Sequence, residues 1–320
     1  MKTAFLRKIA IIAMISSFCG GCNFIRIYQC FQGRIYERSG LNRNTITLND
    51  VTVSLWEGGT GPNLLLLHGF GGDATLGWAD QLPYFSKHFH VIVPDLLWFG
   101  DSTSKNPATI EDQVHMVNEL LKHLNVHSYD VLGISYGGLI ANELALANKK
   151  QIHKVVLVDS PASSYTEADY RELLSRFGIT NAHELLLPTD DAGLKRLYEA
   201  AYYHPPLRTK FGAKSVIKNL INTNRKQKLD LIDNLVSELR TIQDRTERIS
   251  QDTLIIWGEF DPVFPLPIAR RLKDELGDHA QIAIINNARH APNLEYPEQF
   301  NVLVTNFLIP PSGAPLTHSH

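Results

Sequence analysis

Short, continuous apolar runs alternate with helical patterns along most of this chain of 320 residues. The runs Asn63–Leu67, His90–Pro94 and 129–133 are each too short for a helix and have no polar face, which is typical of strands buried on both sides. Apolar positions at helical spacing follow, from Ile110 and again from Leu139. This alternation predicts an α/β fold with a mostly parallel central sheet and helices on both faces.

One long stretch interrupts the alternation. A β-branched hairpin is predicted at 45–48 and 51–56, and further strands at 154–159, 253–257 and 281–285. Between Pro161 and Ile249, however, the patterns are only helical. We therefore predict a core at 45–162 and 250–310, a helical insertion that caps it at 163–249 and a loose tail at 311–320.

The first 21 residues have the composition of an export signal. Three basic residues, Lys2, Arg7 and Lys8, precede a ten-residue apolar run from Ile9 to Phe18, and the small pair at 20–21 follows. A bilayer takes about 20 apolar residues, so this run is short for a membrane span. Residues 1–21 are thus predicted to be a signal segment, and the protein to be exported. An uncleaved anchor and a buried N-terminal helix are the alternatives.

The residue after the small pair is Cys22. In bacterial lipoproteins a small residue precedes the lipidated cysteine, so Cys22 is the candidate for lipidation, although Cys19 stands where a leucine is usual. Residues 22–44 are predicted to be a linker or tether to the body. The protein would then be periplasmic or a membrane-anchored lipoprotein in a bacterium, and otherwise secreted, with membrane association through its N-terminus.

The most specific motif lies at residues 133–138, with the sequence GISYGG. It fits G-x-S-x-G and lies between a predicted strand and a predicted helix, the context in which such a serine is a nucleophile. A serine on this sharp turn needs neighbours without side chains two residues away on either side, and Gly133 and Gly137 meet that need. The pattern predicts that Ser135 is exposed at a helix N-terminus, where N–H groups can stabilise an anion.

With these motifs, residues 45–310 resemble the α/β-hydrolase superfamily. The supporting segments are HGFGG at 68–72, PDLLWFGDS at 94–102, the serine turn, WGEFDP at 257–262 and ARHA at 288–291. Serine, acid and histidine occur in that chain order in such hydrolases. The resemblance implies catalytic Ser135, Asp261 and His290, with Asp159 as the alternative acid, and it implies a cap where the helical insertion is predicted.

The resemblance also implies an oxyanion hole and a pocket. The two donors would be the backbone N–H of Tyr136, directly after the serine, and that of Phe70 in the glycine-rich loop. Trp98, where many relatives have glycine, is a candidate for lining an apolar pocket. His68 is predicted to support the glycine loop rather than to carry protons.

Composition excludes several other functions. The net charge of −2 leaves no basic surface typical of nucleic-acid binding, and the three cysteines all lie in the first thirty residues, which excludes a disulfide or Cys/His zinc framework from the body. Gly69, Gly71 and Ala74, followed by Asp95, also fit a dinucleotide fingerprint, but that reading leaves the serine motif unexplained. We predict no cofactor and no metal.

The resemblance favours a serine hydrolase of carboxylic esters, lipase- or esterase-like, acting on acyl glycerols or short to medium alkyl esters. A small-molecule or lipid ester is then the expected partner. Three alternatives stay open: a C–C bond hydrolase of ring-cleavage products, a serine aminopeptidase or amidase, and a ligand-binding protein on the same fold. C–C hydrolases tend to have Asn-Ser-Met at the turn, where this chain has Ile134, Ser135 and Tyr136.

Overall fold

The computed structural model describes residues 24–105, 109–206 and 209–309. Its strands are β1 Leu41–Leu48, β2 Val51–Gly59, β3 Asn63–Leu67, β4 His90–Pro94, β5 Thr103–Ser104, β6 Tyr129–Ile134, β7 Ile152–Val158, β8 Asp252–Gly258 and β9 Ala280–Ile285. The predicted signal segment, the lipidation candidate Cys22 and the tail at 311–320 lie outside the described residues.

Helices connect most of these strands. They are α1 Phe24–Arg38, α2 Ala74–Gly77, α3 Leu82–Phe85, α4 Ile110–His123, α5 Tyr136–Ala147, α6 Glu167–Phe177, α7 His183–Leu186, α8 Asp191–Ala201, α9 Lys210–Val216, α10 Arg225–Asp244, α11 Leu266–Leu276, α12 Pro292–Glu295 and α13 Pro297–Leu308. Within the described ranges, no helix combines the length and apolarity that crossing a membrane requires.

The strands form one sheet in the order β1-β2-β4-β3-β6-β7-β8-β9, with the short β5 paired to β2. The pairs formed by β2 with β1, β4 and β5 are antiparallel, and the pairs from β4 through β9 are parallel. The predicted mostly parallel sheet is therefore confirmed. The strand order reverses direction at β3, because β4 lies on one side of it and β6 on the other, and such a switch point opens a crevice at the carboxyl ends of the strands.

Two apolar cores cover the two faces of the sheet. Along β3, Leu65 and Leu67 pack into one core and Leu64 and Leu66 into the other, and all four are fully buried. Helices α4, α5 and α11 cover the first face, and α1, α3 and α13 cover the second. Successive strand residues point to opposite faces, so a strand buried on both faces has to be apolar throughout.

The predicted tether at 22–44 is wrong for its described part. Residues from Phe24 form α1, and β1 begins at Leu41 rather than at Thr45. The Tyr36 side chain is fully buried and its hydroxyl donates to the carbonyl of Thr75 at 2.7 Å. Gln29 donates to Asp73 at 2.6 Å. Polar and aromatic residues on one face of α1 thus hold the helix against the body. A pattern of regularly spaced apolar residues, which would have indicated a packed helix, is not what attaches it.

Between β7 and β8, the described residues form helices and helical turns but no strand. This segment is joined to the core at several points. Asn224 donates to the carbonyl of Trp98 at 3.3 Å, and the backbone N–H of Ile110 donates to Glu238 at 2.8 Å. Leu231 and Ile232 of α10 are buried in the same core as α4 and α5. The helical segment therefore lies over the carboxyl edge of the sheet, where the loops that follow β4 and β6 end.

Candidate active site

Ser135 lies on a sharp turn between β6 and α5. Its φ of 53° and ψ of −117° are unusual for a residue with a side chain. A Cβ on Gly133 would lie 2.3 Å from the carbonyl oxygen of Gly137, and a Cβ on Gly137 would lie 2.2 Å from that of Leu67. Both contacts are with backbone, which cannot move aside. The two glycines therefore let the turn pack against β3 and hold Ser135 out at the end of α5.

His290 and Asp261 reach this serine from the loops after β9 and β8. The His290 Nε2 atom lies 2.9 Å from the Ser135 Oγ atom, and its Nδ1 atom lies 2.8 Å from the Asp261 Oδ2 atom. The other Asp261 oxygen accepts from the N–H groups of Val263 and Phe264 at 2.7 and 3.1 Å. These contacts suit a neutral histidine whose Nδ1–H donates to the acid and whose Nε2 accepts from the serine.

Asp159, the alternative acid, lies beside this line of groups but outside it. One of its oxygens lies within 4.8 Å of the atoms that Asp261 and His290 offer. Its Oδ1 atom accepts from the N–H of Gly258 at 2.8 Å, and its Oδ2 atom has no partner among the described residues. Burial, and then the charge of Asp261, hold the pKa of Asp159 well above its usual range. Burial therefore favours the protonated form of Asp159, and the histidine is bonded to Asp261 instead.

These three residues are also the one acid–histidine group of the described chain with the spacing of metal ligands. The His290 Nδ1 atom is bonded to Asp261 and its Nε2 atom to Ser135, so both ring nitrogens already have partners. The geometry is thus better suited to holding an imidazole than to holding a metal ion.

The two candidate oxyanion donors flank Ser135. Tyr136 is the first residue of α5, and Phe70 lies in the glycine-rich loop after β3. Neither N–H donates to another described residue. The loop approaches closely, because a Cβ on Gly69 would lie 3.4 Å from the Ser135 Cβ atom. The Phe70 and Tyr136 rings stand edge to face with centroids 5.9 Å apart. Both N–H groups are thus unpaired among the described residues.

His68 supports the glycine loop. Its Nε2 atom accepts from the N–H of Leu96 at 3.0 Å, so its Nδ1–H donates to the carbonyl of Gly69 at 2.8 Å. Complete burial lowers the pKa of His68, which keeps the ring neutral. This is the structural position expected from the sequence.

The dinucleotide reading of the same loop does not fit. Asp95, which would have to bind a ribose, is fully buried. It accepts from the N–H of Ala74 at 2.9 Å and pairs with Arg43 at 2.5 Å. Its carboxylate therefore joins β1, the end of β4 and the start of α2, and these contacts use both of its oxygens.

Trp98 lies at the junction between core and helical segment. It is 8% exposed and has a φ of 74°, a left-handed conformation that favours glycine. Its indole Nε1 atom is buried without a described partner. The neighbouring Phe99 packs edge to face on Phe70 with centroids 5.0 Å apart. The loop after β4 thus adds aromatic surface beside the candidate oxyanion donors.

Two site residues were missed by sequence reasoning. Glu295 accepts from the N–H groups of Arg289 and Tyr203 at 2.8 and 2.7 Å, so it connects the histidine loop to the helical segment. Lys228 of α10 is buried, with its Nζ atom 5.0 Å from the centre of the Phe99 ring. Neither belongs to a recognisable motif. Lys228 has the sequence context of an ordinary surface lysine.

A hydroxyl bonded to a neutral imidazole, which is oriented in turn by a carboxylate, can attack an acyl carbon. Two free N–H groups beside it can stabilise the negative oxygen that forms.

Comparison with known proteins gives a consistent picture. A family model described as the alpha/beta hydrolase fold matches residues 62–297. Lipase 3 of Moraxella sp. (strain TA144) is 28% identical over 307 residues, which is 91% of this chain and 94% of that protein. The 2-hydroxymuconate semialdehyde hydrolase of Pseudomonas sp. (strain CF600) is 27% identical over 286 residues, 83% of this chain and 94% of that protein.

Among solved structures, a candidate lipase of Acinetobacter baumannii AYE superposes with a TM-score of 0.77 at 26% identity. The match covers 88% of this chain and 95% of that one. Similar proteins therefore include two that are named lipases and one that is named a 2-hydroxymuconate semialdehyde hydrolase, each matched over at least 94% of its length.

Proposed function

This chain belongs to the alpha/beta hydrolase family, and on that premise we propose that it is a serine hydrolase that cleaves carboxylic esters through an acyl-enzyme on Ser135. The observation that carries the proposal is the hydrogen-bonded series from Ser135 Oγ through His290 to the buried carboxylate of Asp261. Nucleophile, base and orienting acid stand in the order that acyl transfer needs.

In the proposed reaction, the Ser135 oxygen bonds to the acyl carbon while His290 takes the serine proton. The carbonyl oxygen becomes an oxyanion, and the N–H groups of Phe70 and Tyr136 stabilise it. When the intermediate collapses, the ester bond breaks and His290 gives its proton to the leaving alcohol. Water, deprotonated by the same histidine, then attacks the acyl-enzyme and releases the acid and the free serine. Asp261 orients the imidazole and stabilises its positive charge.

We infer that the substrates belong to the acyl glycerols or the short to medium alkyl esters. Two observations support an apolar ester: the rings of Phe70, Phe99 and Tyr136 pack against one another beside the serine, and the similar protein from Moraxella is named a lipase. An apolar wall favours an acyl or alkyl chain through the area that it removes from water.

The test is labelling and turnover. We expect a fluorophosphonate probe to label wild type at Ser135 and not the Ser135→Ala variant, and p-nitrophenyl esters of graded chain length to be hydrolysed. Wild type that neither takes up the probe nor hydrolyses any of these esters would refute the proposal.

One second function has a specific observation in its favour. A similar protein at 27% identity is named 2-hydroxymuconate semialdehyde hydrolase. A C–C bond hydrolase uses the same three groups, so the geometry of the triad does not separate the two reactions. Turnover of a vinylogous diketone, measured beside the p-nitrophenyl esters, separates them: a kcat/KM for the diketone above that of every ester would favour the C–C hydrolase.

We further propose that the chain is exported and lipidated at Cys22. Because α1 begins at Phe24 and packs on the body, a lipid on Cys22 would hold the body directly against a membrane rather than on a long tether. Intact mass of the membrane-extracted protein tests this idea. An unmodified N-terminus, or a Cys22→Ser variant with unchanged membrane partitioning, would reject it.

A further inference from the structure

Lys228 is a buried cation in the helical segment above the candidate active site. It lies on α10 and is 4% exposed, and its Nζ atom donates to the carbonyl of Leu220 at 3.0 Å. The same atom lies 5.0 Å from the centre of the Phe99 ring. Both contacts stabilise an ammonium group without neutralising its charge.

No acid in the described chain pairs with this lysine. No carboxylate oxygen among those residues lies within 4.0 Å of its Nζ atom. Asp73 is the acid whose charge acts on it, but the Asp73 carboxylate accepts from Gln29 and from the backbone of Thr75 and Leu76. A buried charge without a counterion is costly, and natural proteins generally pair it or bind a ligand with it.

The lysine still carries its proton at neutral pH. Burial lowers its pKa to about 8, and the charge of Arg225 adds to that effect. A group with this pKa is mostly protonated at pH 7, so the positive charge is present when a ligand arrives.

The position of the lysine connects it with the proposed reaction. The Phe99 ring under its ammonium packs on Phe70, at a centroid distance of 5.0 Å. Phe70 supplies one of the two candidate oxyanion donors and contacts the ring of Tyr136, which supplies the other. The ammonium group is therefore two aromatic contacts from the serine turn.

We propose that Lys228 forms an anion subsite for a phosphate or carboxylate group of the substrate, so that the protein prefers anionic esters to neutral ones. This inference rests on the proposed ester hydrolysis and specifies its substrate class. The anionic group of the substrate then acts as the counterion of Lys228, through a charge-assisted hydrogen bond to its Nζ atom.

Two substrate pairs test the source of the anion. A 1-acylglycerol 3-phosphate and the 1-monoacylglycerol of equal chain length differ by a phosphate on the alcohol side. Mono-p-nitrophenyl succinate and p-nitrophenyl butyrate differ by a carboxylate on the acyl side. We expect the kcat/KM ratio of anionic to neutral substrate to be at least about 10 in one pair, and that pair identifies the source.

Three variants test the lysine. Lys228→Met removes the charge and retains a long side chain, and it should reduce that ratio at least about tenfold. Lys228→Arg should retain most of the preference. Lys226→Met, on the same helix at an exposed position, is the matched control and should leave the ratio unchanged. A ratio near 1 in wild type, or an unchanged ratio in Lys228→Met, would overturn the subsite.

Wild type alone gives a second measurement if the Met variant does not fold. Glycerol 3-phosphate or succinate should inhibit turnover of a neutral ester competitively, and glycerol should not. Absence of inhibition by both anions up to high millimolar concentration would overturn the subsite. Failure of the hydrolase proposal is recognised separately, by lack of fluorophosphonate labelling in wild type.

Discussion

Asp261 and His68, at the carboxyl edge of the sheet, differ from Lys228, in the helices packed over it, in how their polar atoms are satisfied. At the edge, Asp261 accepts from two backbone N–H groups and from His290, and His68 is bonded through both ring nitrogens. In the overlying helices, Lys228 has only a carbonyl and a ring face.

This difference separates the groups that perform the reaction from the group that selects the substrate. Preorganised donors and acceptors cost no rearrangement during a reaction, so they belong on the rigid edge of a sheet. A group that binds the substrate for selectivity can instead lie on a helix that contributes no strand to the sheet. If this comparison is right, substitutions at the edge should affect turnover most, and substitutions in the covering helices should affect preference or stability.

The largest effect should follow from Ser135→Ala. We expect turnover to fall about 10⁴-fold or more with an unchanged melting temperature, because the covalent nucleophile is removed while the backbone turn is kept. Steady-state kinetics and a thermal melt measure the two quantities. Turnover near wild type in a folded variant would break the proposed link between this edge and catalysis.

The two neighbouring acids provide the next comparison. Asp261→Asn should lower turnover by up to about 10⁴-fold, because an amide no longer holds the imidazole in the correct tautomer. Asp159→Asn should change kcat/KM by less than about threefold, because an amide resembles the protonated acid that burial favours and its oxygen can still accept from Gly258. The reverse pattern would assign the orienting acid to Asp159.

The glycines of the edge should differ in stability. Gly137→Ala should lower the free energy of unfolding by about 3 kcal/mol, because its Cβ would lie 2.2 Å from the backbone oxygen of Leu67. Gly71→Ala is the control, since no atom lies within 4 Å of its Cβ position, and its effect should stay within about 0.5 kcal/mol. Urea unfolding measures both. Equal effects would contradict the packing argument for the serine turn.

The smallest expected effect concerns α1. Tyr36→Phe removes the hydroxyl that donates to Thr75 and should lower the free energy of unfolding by about 1 kcal/mol. Cys30→Ser, exposed on the same helix, should have almost no effect. If both variants unfold like wild type, the helix contributes nothing through this bond, and its attachment to the body is weaker than the contacts indicate.

The sheet and the serine turn could be predicted from local patterns because their causes are local. A strand buried on both faces has to be apolar throughout, and a serine held in a strained turn needs glycines at fixed positions in the sequence. Both features can therefore be recognised as local sequence patterns. Asp261 and His290 could be predicted only from the resemblance to a family, because no local sequence motif distinguishes a catalytic aspartate or histidine after a strand from any other.

The tertiary structure alone decided three features. It turned 24–38 into a packed helix, because the glutamine and tyrosine face of α1 finds its partners, Asp73 and Thr75, about forty residues further along the chain. It oriented Asp261, and not Asp159, toward the histidine, although both acids follow neighbouring parallel strands. It buried Lys228 on the Phe99 ring, since burial depends on how helices pack and not on the residues beside the lysine in the chain.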